Sequence, residues 1–465
     1  MEKLYPAIGI IGLFAGLHGI ISALVFSSPV WFSFFAIGGS LFLGFLTFRQ
    51  KSSSVFSLGR DKLIHTYMIY LIFGILIEFV GRFILGLWKY PSFDLVDEII
   101  HVYLIGYPFV FFFVHEFFKL VRMKISNFYL VVILTAVINA FLHELPNTFA
   151  WEWVYTMPFP VEIFRINLLV IAGWIILVAA PLLVEKVIEK PFLKWYGLLG
   201  ILMIALVELN FLFRVEPFIF LSFPIVWFGY IFVVDSLVHR IRGSSLINDR
   251  FPQFLGMAII SGVFWWFFEF LNIPVQNWRY IGIEHLGIYA DLFAYISFAT
   301  VLPALFETVE LIRSIHRPKI ARKKASPVSS RTLHLIMALG LLCFLLPILF
   351  PKYFYALIWG SFFLLLDPLN YVNKQPSIIG HIRKGNKAIV YHLLLAGIII
   401  GFLWEFWNFW SPVKWVYEIP FVTFLKIFEM PLLGYIGYFP FALELYAMYW
   451  FTRSLFMRKE KLIAE

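Results

Sequence analysis

Apolar runs of about 18–25 residues follow one another along almost the whole chain, each long enough to cross a hydrocarbon core of roughly 30 Å as a helix. The loops between them are short and carry most of the charge. Of the 465 residues 61% are hydrophobic and 14% charged, and the mean hydropathy is +0.86. Soluble domains have roughly 45–50% and about 25%. The runs therefore predict an all-α polytopic membrane protein of about fourteen transmembrane helices. The first run, Pro6 to Phe26, is not followed by a small-residue cleavage site and reads as a helix, not a removed signal. Cys343 is the single cysteine, which excludes an internal disulfide and a cysteine-built metal site.

The net charge of +9 arises from basic clusters in alternate loops, such as Arg49, Lys51, Arg60 and Lys62, then Lys119, Arg122 and Lys124, then Arg240, Arg242 and Arg250. Basic residues in a membrane protein mark cytoplasmic loops, so no nucleic-acid partner is expected. By the same rule both termini face the cytoplasm, in an inner or plasma membrane.

The opposite loops carry a repeated skeleton. A Glu near the end of an apolar run is followed by Trp-x-Tyr, then by a second apolar run that holds a proline and closes on another Glu. The copies begin at Glu78, Glu144, Glu269 and Glu405, reach Trp88-Lys89-Tyr90, Trp153-Val154-Tyr155, Trp278-Arg279-Tyr280 and Trp415-Val416-Tyr417, and close at Glu116, Glu185, Glu307 and Glu444. Anchors held at such constant spacing mark an internally repeated protein. A larger repeat surrounds them: Trp227 and Asp235 match Trp359 and Asp367, each pair preceding a basic, Ser-containing loop. The inferred unit is four helices, and an even number per unit leaves every copy in the same orientation, as parallel repeats. The expected organisation is a four-helix unit over 1–124, a two-helix half unit over 125–190, a second four-helix unit over 191–313, a basic cytoplasmic linker over 314–331, and a third four-helix unit with a basic tail over 332–465.

Glu144-x-x-Asn147, Glu269-x-x-Asn272 and Glu405-x-x-Asn408 each put a carboxylate and an amide on one helical face; Glu78 is followed by Gly81 and Arg82 instead. A charge within the hydrocarbon costs about 2.5–3.5 kcal/mol even on insertion scales, so these groups should face protein or a wet cavity. They can serve as proton donors or cation sites, or accept hydrogen bonds from a neighbouring Trp indole or loop amide. Recurrence in every copy favours the packing role. Trp-x-Tyr reads as an interface anchor, and Pro108, Pro181, Pro303 and Pro440 as kinks that open their helices. The closing Glu residues read as solvated or salt-bridged. Polar residues outside the repeat are sharper candidates: Arg82, His143 beside Glu144, Glu162, and Glu429. His143-Glu144 lacks the second His of the zinc-protease pattern, and no cofactor signature is present. The candidate catalytic set is Glu405 with Asn408, Glu269 with Asn272, His143 with Glu144, Glu78 with Arg82, and Glu162 and Glu429.

Gly86-Leu87-Trp88-Lys89-Tyr90, the pair Trp404-Glu405, and Pro160-Val161-Glu162-Ile163-Phe164 together resemble the membrane-embedded lycopene cyclase domain of carotenoid synthesis. That family has an acidic residue after Trp, a Gly-x-Trp element, and Pro-x-Glu-Glu before a Phe-rich helix. The doubled Glu is absent here, Phe428-Glu429-Met430-Pro431 reverses the order of Pro and Glu, and the family domain is much smaller. The resemblance covers the repeated hairpins alone. It implies a carboxyl that protonates an apolar alkene inside the bilayer, with aromatic faces that stabilise the resulting carbocation.

Three function classes stay open. One is acid catalysis on an isoprenoid or other membrane lipid, of cyclase, hydratase or isomerase type. The second is a proton- or cation-coupled transporter or lipid flippase that uses the same carboxylates. The third is a scaffold without chemistry. A closed cavity lined by Glu and aromatic residues favours the first, an aqueous path between alternate faces the second. Carboxylates in separate helix contacts, with no shared cavity, would drop out of both.

Overall fold

The computed structural model describes residues 5–156, 161–189, 192–317, 327–422 and 425–456. Pro160, the centre of the basic linker at 318–326, the side chain of Glu185 and the tail from residue 457 lie outside the described residues. The protein is an integral, multi-pass membrane protein, and among the described residues twelve helices are long and apolar enough to cross a bilayer.

The chain divides into two compact units, Met1–Leu198 and Leu199–Glu465. The first contains α1 (Tyr5–Phe26), α2 (Trp31–Lys51), α3 (Arg60–Glu78), α4 (Tyr107–Arg122), α5 (Phe128–Ala150) and α6 (Leu168–Glu189). The unit boundary falls inside α7 (Trp195–Phe213). The second unit continues with α8 (Ser222–Arg242), α9 (Leu246–Val275), α10 (Val301–Ile315), α11 (Ser330–Leu349), α12 (Ser361–Val372), α13 (Ala388–Trp410) and α14 (Tyr438–Phe456). Of the fourteen expected spans, α6 and α14 fall outside the twelve. The described apolar stretch of α6 is shorter, Leu168–Ala179. In α14, Glu444, Arg453 and several Tyr and Trp residues lower the hydropathy, and most of these side chains are buried against neighbouring helices.

The first and second copies of the skeleton lie in the first unit, the third and fourth in the second. The helix after the first, third and fourth Trp-x-Tyr starts irregularly, as a π-helix at Glu98–Gly106 and as 3-10 turns at Ile283–Tyr289 and Leu432–Gly437. Such stretches depart from the regular α-helical ladder and are tolerated at membrane depth where protein or a cavity covers them.

The Trp-x-Tyr segments pair with one another. In the first unit β1 (Trp88–Lys89) pairs antiparallel with β2 (Val154–Tyr155), Trp88 opposite Tyr155. In the second unit β5 (Trp278–Ile281) pairs with β6 (Lys414–Tyr417), Trp278 opposite Tyr417 and Tyr280 opposite Trp415. This register is two-fold symmetric, so each pair clasps two copies together at the ends of their helices. Two short hairpins, β3 (Glu162–Ile163) with β4 (Ile166–Asn167) and β7 (Lys426–Ile427) with β8 (Met430–Pro431), follow the second and fourth Trp-x-Tyr.

The expectation for the closing Glu residues is corrected. Glu116, Glu307 and Glu444 are at most 1% exposed. Glu116 accepts hydrogen bonds from Ser54 Oγ at 2.9 Å and the Val55 N–H at 2.6 Å, and Glu444 from the N–H groups of Gly360 and Phe362. Glu307 lies against Asp235. Asp367 accepts from the N–H groups of Ile378 and Ile379, and Asp235 from Ser245 Oγ and the Ile247 N–H. Glu116, Glu444, Asp367 and Asp235 tie the ends of helices and loops together by satisfying backbone donors that have no partner within their own turn.

Candidate functional site

Each repeated Glu sits in a cage of aromatic donors. Glu78 Oε1 accepts from Trp88 Nε1 at 3.0 Å, Tyr90 OH at 2.7 Å and Tyr107 OH at 2.8 Å. Glu144 accepts from Trp153 Nε1, Tyr155 OH and Trp174 Nε1, each at 3.0 Å. Glu405 Oε1 accepts from Tyr417 OH at 2.7 Å and Tyr438 OH at 2.6 Å, while Trp415 Nε1 donates to Tyr417 OH at 2.9 Å. Glu269 Oε1 accepts from Trp265 Nε1 at 2.9 Å, Trp278 Nε1 at 3.1 Å and Tyr280 OH at 2.6 Å. Hydrogen bonds to a charged group contribute about 1.5–3 kcal/mol each, enough in twos and threes to offset the cost of a carboxylate at membrane depth.

The Asn residues belong to the clasp. Asn272 Nδ2 donates to the Trp278 carbonyl at 2.8 Å and its Oδ1 accepts from the Asn277 N–H at 2.8 Å. Asn408 does the same with the Trp415 carbonyl at 2.8 Å and the Trp415 N–H at 2.9 Å. Asn147 likewise holds Glu152 and Trp153. In the first copy Gly81 takes this place, and the Trp88 indole lies where a side chain would stand.

Three cages are sealed and one is open. Four residues before the Glu stand Gly74, Ala140, Trp265 and Gly401. Where that residue is small, an aromatic donor from the copy's second helix covers the carboxyl: Tyr107, Trp174 or Tyr438. Glu78, Glu144 and Glu405 are accordingly 0%, 5% and 0% exposed. In the third copy the large Trp265 supplies its donor from the Glu's own helix. The position matching Tyr438, two residues before the helix proline, is Val301, which has nothing to donate. Glu269 is half-buried.

Beside Glu269, within the second unit, lies a cavity of about 450 Å³. Residues from matching places in copies three and four line it, Phe223 with Tyr355, Trp278 with Trp415, and Tyr280 with Tyr417, so the cavity sits across the local two-fold of the clasp. Trp265, Trp359 and Trp404 add further aromatic faces, and Glu269, Asp291 and Lys414 are its charged residues. This size and apolar lining, with a few polar groups, are those of a ligand site.

The remaining candidates lie elsewhere. Arg82 forms a two-pronged ion pair with Glu98 at 2.7 and 2.8 Å, and its Nη1 is 3.9 Å from Glu78. His143 is fully buried. Its Nδ1 is 2.8 Å from the Asn139 carbonyl, and the rings of Phe32, Phe35, Phe113 and Trp174 surround it. Glu162 is exposed on β3. Glu429 is the turn residue before β8 and accepts from Lys414 Nζ at 2.7 Å. Of the predicted set, therefore, Glu269 alone lines the cavity. The sequence reading missed Trp265 and Val301; comparing the residue four before each Glu would have exposed the odd copy. No family model, curated protein or solved structure matches the chain.

Proposed function

We propose that this membrane protein acts on an isoprenoid or other unsaturated lipid by acid catalysis, with Glu269 as the proton donor. The observation that carries the reading is the open cage, one repeated carboxyl of four facing an aromatic cavity while the other three are sealed. Glu269 Oε1 takes the three cage bonds, and Oε2 has only a 3.3 Å contact with Trp278 Nε1. The proton to be transferred is assigned to Oε2. Its addition to an alkene carbon leaves the positive charge on the neighbouring carbon, where Trp and Tyr faces stabilise a cation. Attack by a second double bond closes a ring, and loss of a proton from an adjacent carbon back to the carboxylate regenerates the acid. No net proton, electron or cofactor is consumed. The weak lycopene cyclase resemblance of the hairpins points the same way.

The test is turnover in heavy water. Full-length protein in lipid nanodiscs is incubated with an acyclic isoprenoid polyene, and the recovered lipid is analysed by mass spectrometry. The expected result is a rearranged product carrying solvent deuterium, reduced about 10²–10⁴-fold in Glu269→Gln, the usual contribution of a general acid. Binding without deuterium uptake would make the protein a lipid carrier. Unchanged turnover in Glu269→Gln would remove the proposed acid.

A further inference from the structure

The residue before the Trp of each Trp-x-Tyr is Leu87, Glu152, Asn277 or Lys414. Three of them have their chemistry satisfied. Leu87 needs no polar partner, Glu152 accepts from the Phe32 N–H at 3.2 Å, and Lys414 donates to Glu429 at 2.7 Å and to the Phe409 carbonyl at 3.3 Å. Asn277 differs. It is 3% exposed, lines the cavity, and its Oδ1 has no hydrogen-bond partner among the described residues. Its backbone is fully used by the clasp, the N–H bonding Asn272 and the carbonyl accepting from Glu418. A second void beside it, of about 10 Å³, has room for one water at most.

Buried amides in proteins are paired, and a ligand site that carries a built-in hydrogen-bonding group selects ligands that answer it. We infer that the cavity takes an isoprenoid alcohol, its hydroxyl bonded to the Asn277 amide beneath the clasp and its unsaturated chain lying along the tryptophans. A hydroxyl both donates and accepts, so it suits either face of an amide. A carboxylate or phosphate would be repelled by Asp291, and Lys414, the lysine of the wall, is already paired with Glu429. This inference rests on the cavity being the substrate site and adds the end group it recognises.

The experiment compares farnesol with the hydrocarbon of the same skeleton lacking the hydroxyl, each titrated against full-length protein in nanodiscs by tryptophan fluorescence. The wild type is expected to bind the alcohol about tenfold more tightly, the worth of one net hydrogen bond. Asn277→Leu, which copies the residue at the matching place in the first copy, should weaken the alcohol to the level of the hydrocarbon and leave the hydrocarbon unchanged. Equal binding of both probes by the wild type, or a preference that survives Asn277→Leu, overturns the inference and leaves the acid site standing. Binding of neither probe overturns the cavity as a lipid site, and the inference with it.

Discussion

The ring of Tyr438 lies on Gly401, within 2.4 Å of where a Cβ would stand, and its hydroxyl reaches Glu405 at 2.6 Å. The missing side chain and the tyrosine are one device, repeated by Tyr107 over Gly74 in the first unit. Gly401→Leu should therefore push the ring off the carboxyl and cost about 1–3 kcal/mol from overpacking, with up to a similar amount from the lost bond to a buried acceptor. Thermal unfolding in detergent measures it, and an unchanged midpoint would mean that the ring does not seal the cage.

The third copy lacks this device, and the difference predicts how to install it. Trp265→Gly combined with Val301→Tyr recreates the arrangement around Glu405 on the Glu269 side. The double variant is expected to fold with near-wild-type stability, because the hydroxyl of the new tyrosine replaces the indole donor, and to lose lipid binding because the ring now fills the cavity. Val301→Tyr alone keeps Trp265 in the way and should be the less stable of the two. Should the double variant bind lipid as the wild type does, the open cage is not the ligand site.

The spans were legible because membrane helices are written in unbroken apolar runs, and the cages in part because Glu, Asn, Trp and Tyr recur at fixed spacing. Their partners were not. Trp278 meets Tyr417 across more than a hundred residues of chain, and nothing local in either strand announces the pairing. The sealing groups were hidden for a different reason. Gly401, Trp265, Val301 and Tyr438 all sit in apolar runs where any of them passes as an ordinary span residue, so their meaning emerges when the copies are compared with one another. His143 and Glu162 stood out in sequence because they break the repeat, yet one is boxed in by aromatic rings and the other lies exposed on a hairpin.

Asn408 provides a test of the clasp that is independent of the cavity. Its amide holds both the N–H and the carbonyl of Trp415, so Asn408→Ala removes two hydrogen bonds and leaves buried backbone groups to find other partners. A loss of about 1–3 kcal/mol is expected, together with faster proteolysis within Lys414–Tyr417. Asn408→Asp keeps the acceptor for the Trp415 N–H but places a carboxylate oxygen against its carbonyl, and should be no better tolerated. If Asn408→Ala leaves both stability and proteolysis unchanged, strand pairing alone holds the loop.

Arg82 is the cation that faces Glu98 and Glu78, with side-chain exposures of 19%, 12% and 1%, and its guanidinium also lies 5.0 Å from the Tyr90 ring centroid. Breaking a largely buried ion pair by removing one partner costs about 3–5 kcal/mol, because the charge left behind has no compensation. Arg82→Leu is therefore expected to be among the most destabilising single changes in the first unit. Arg82→Lys keeps the charge but not the planar fork that bonds both Glu98 oxygens, and should fall between the wild type and Arg82→Leu. The decisive variant is the double change Arg82→Leu with Glu98→Leu, which removes both charges and should recover most of the loss. A double-mutant cycle on unfolding free energies reads the coupling directly. If Arg82→Leu costs less than about 0.5 kcal/mol, a value typical of exposed pairs, the pair is solvated in the membrane and does not hold the irregular helix end at Phe79–Ile84 and the irregular helix start at Glu98–Gly106 together.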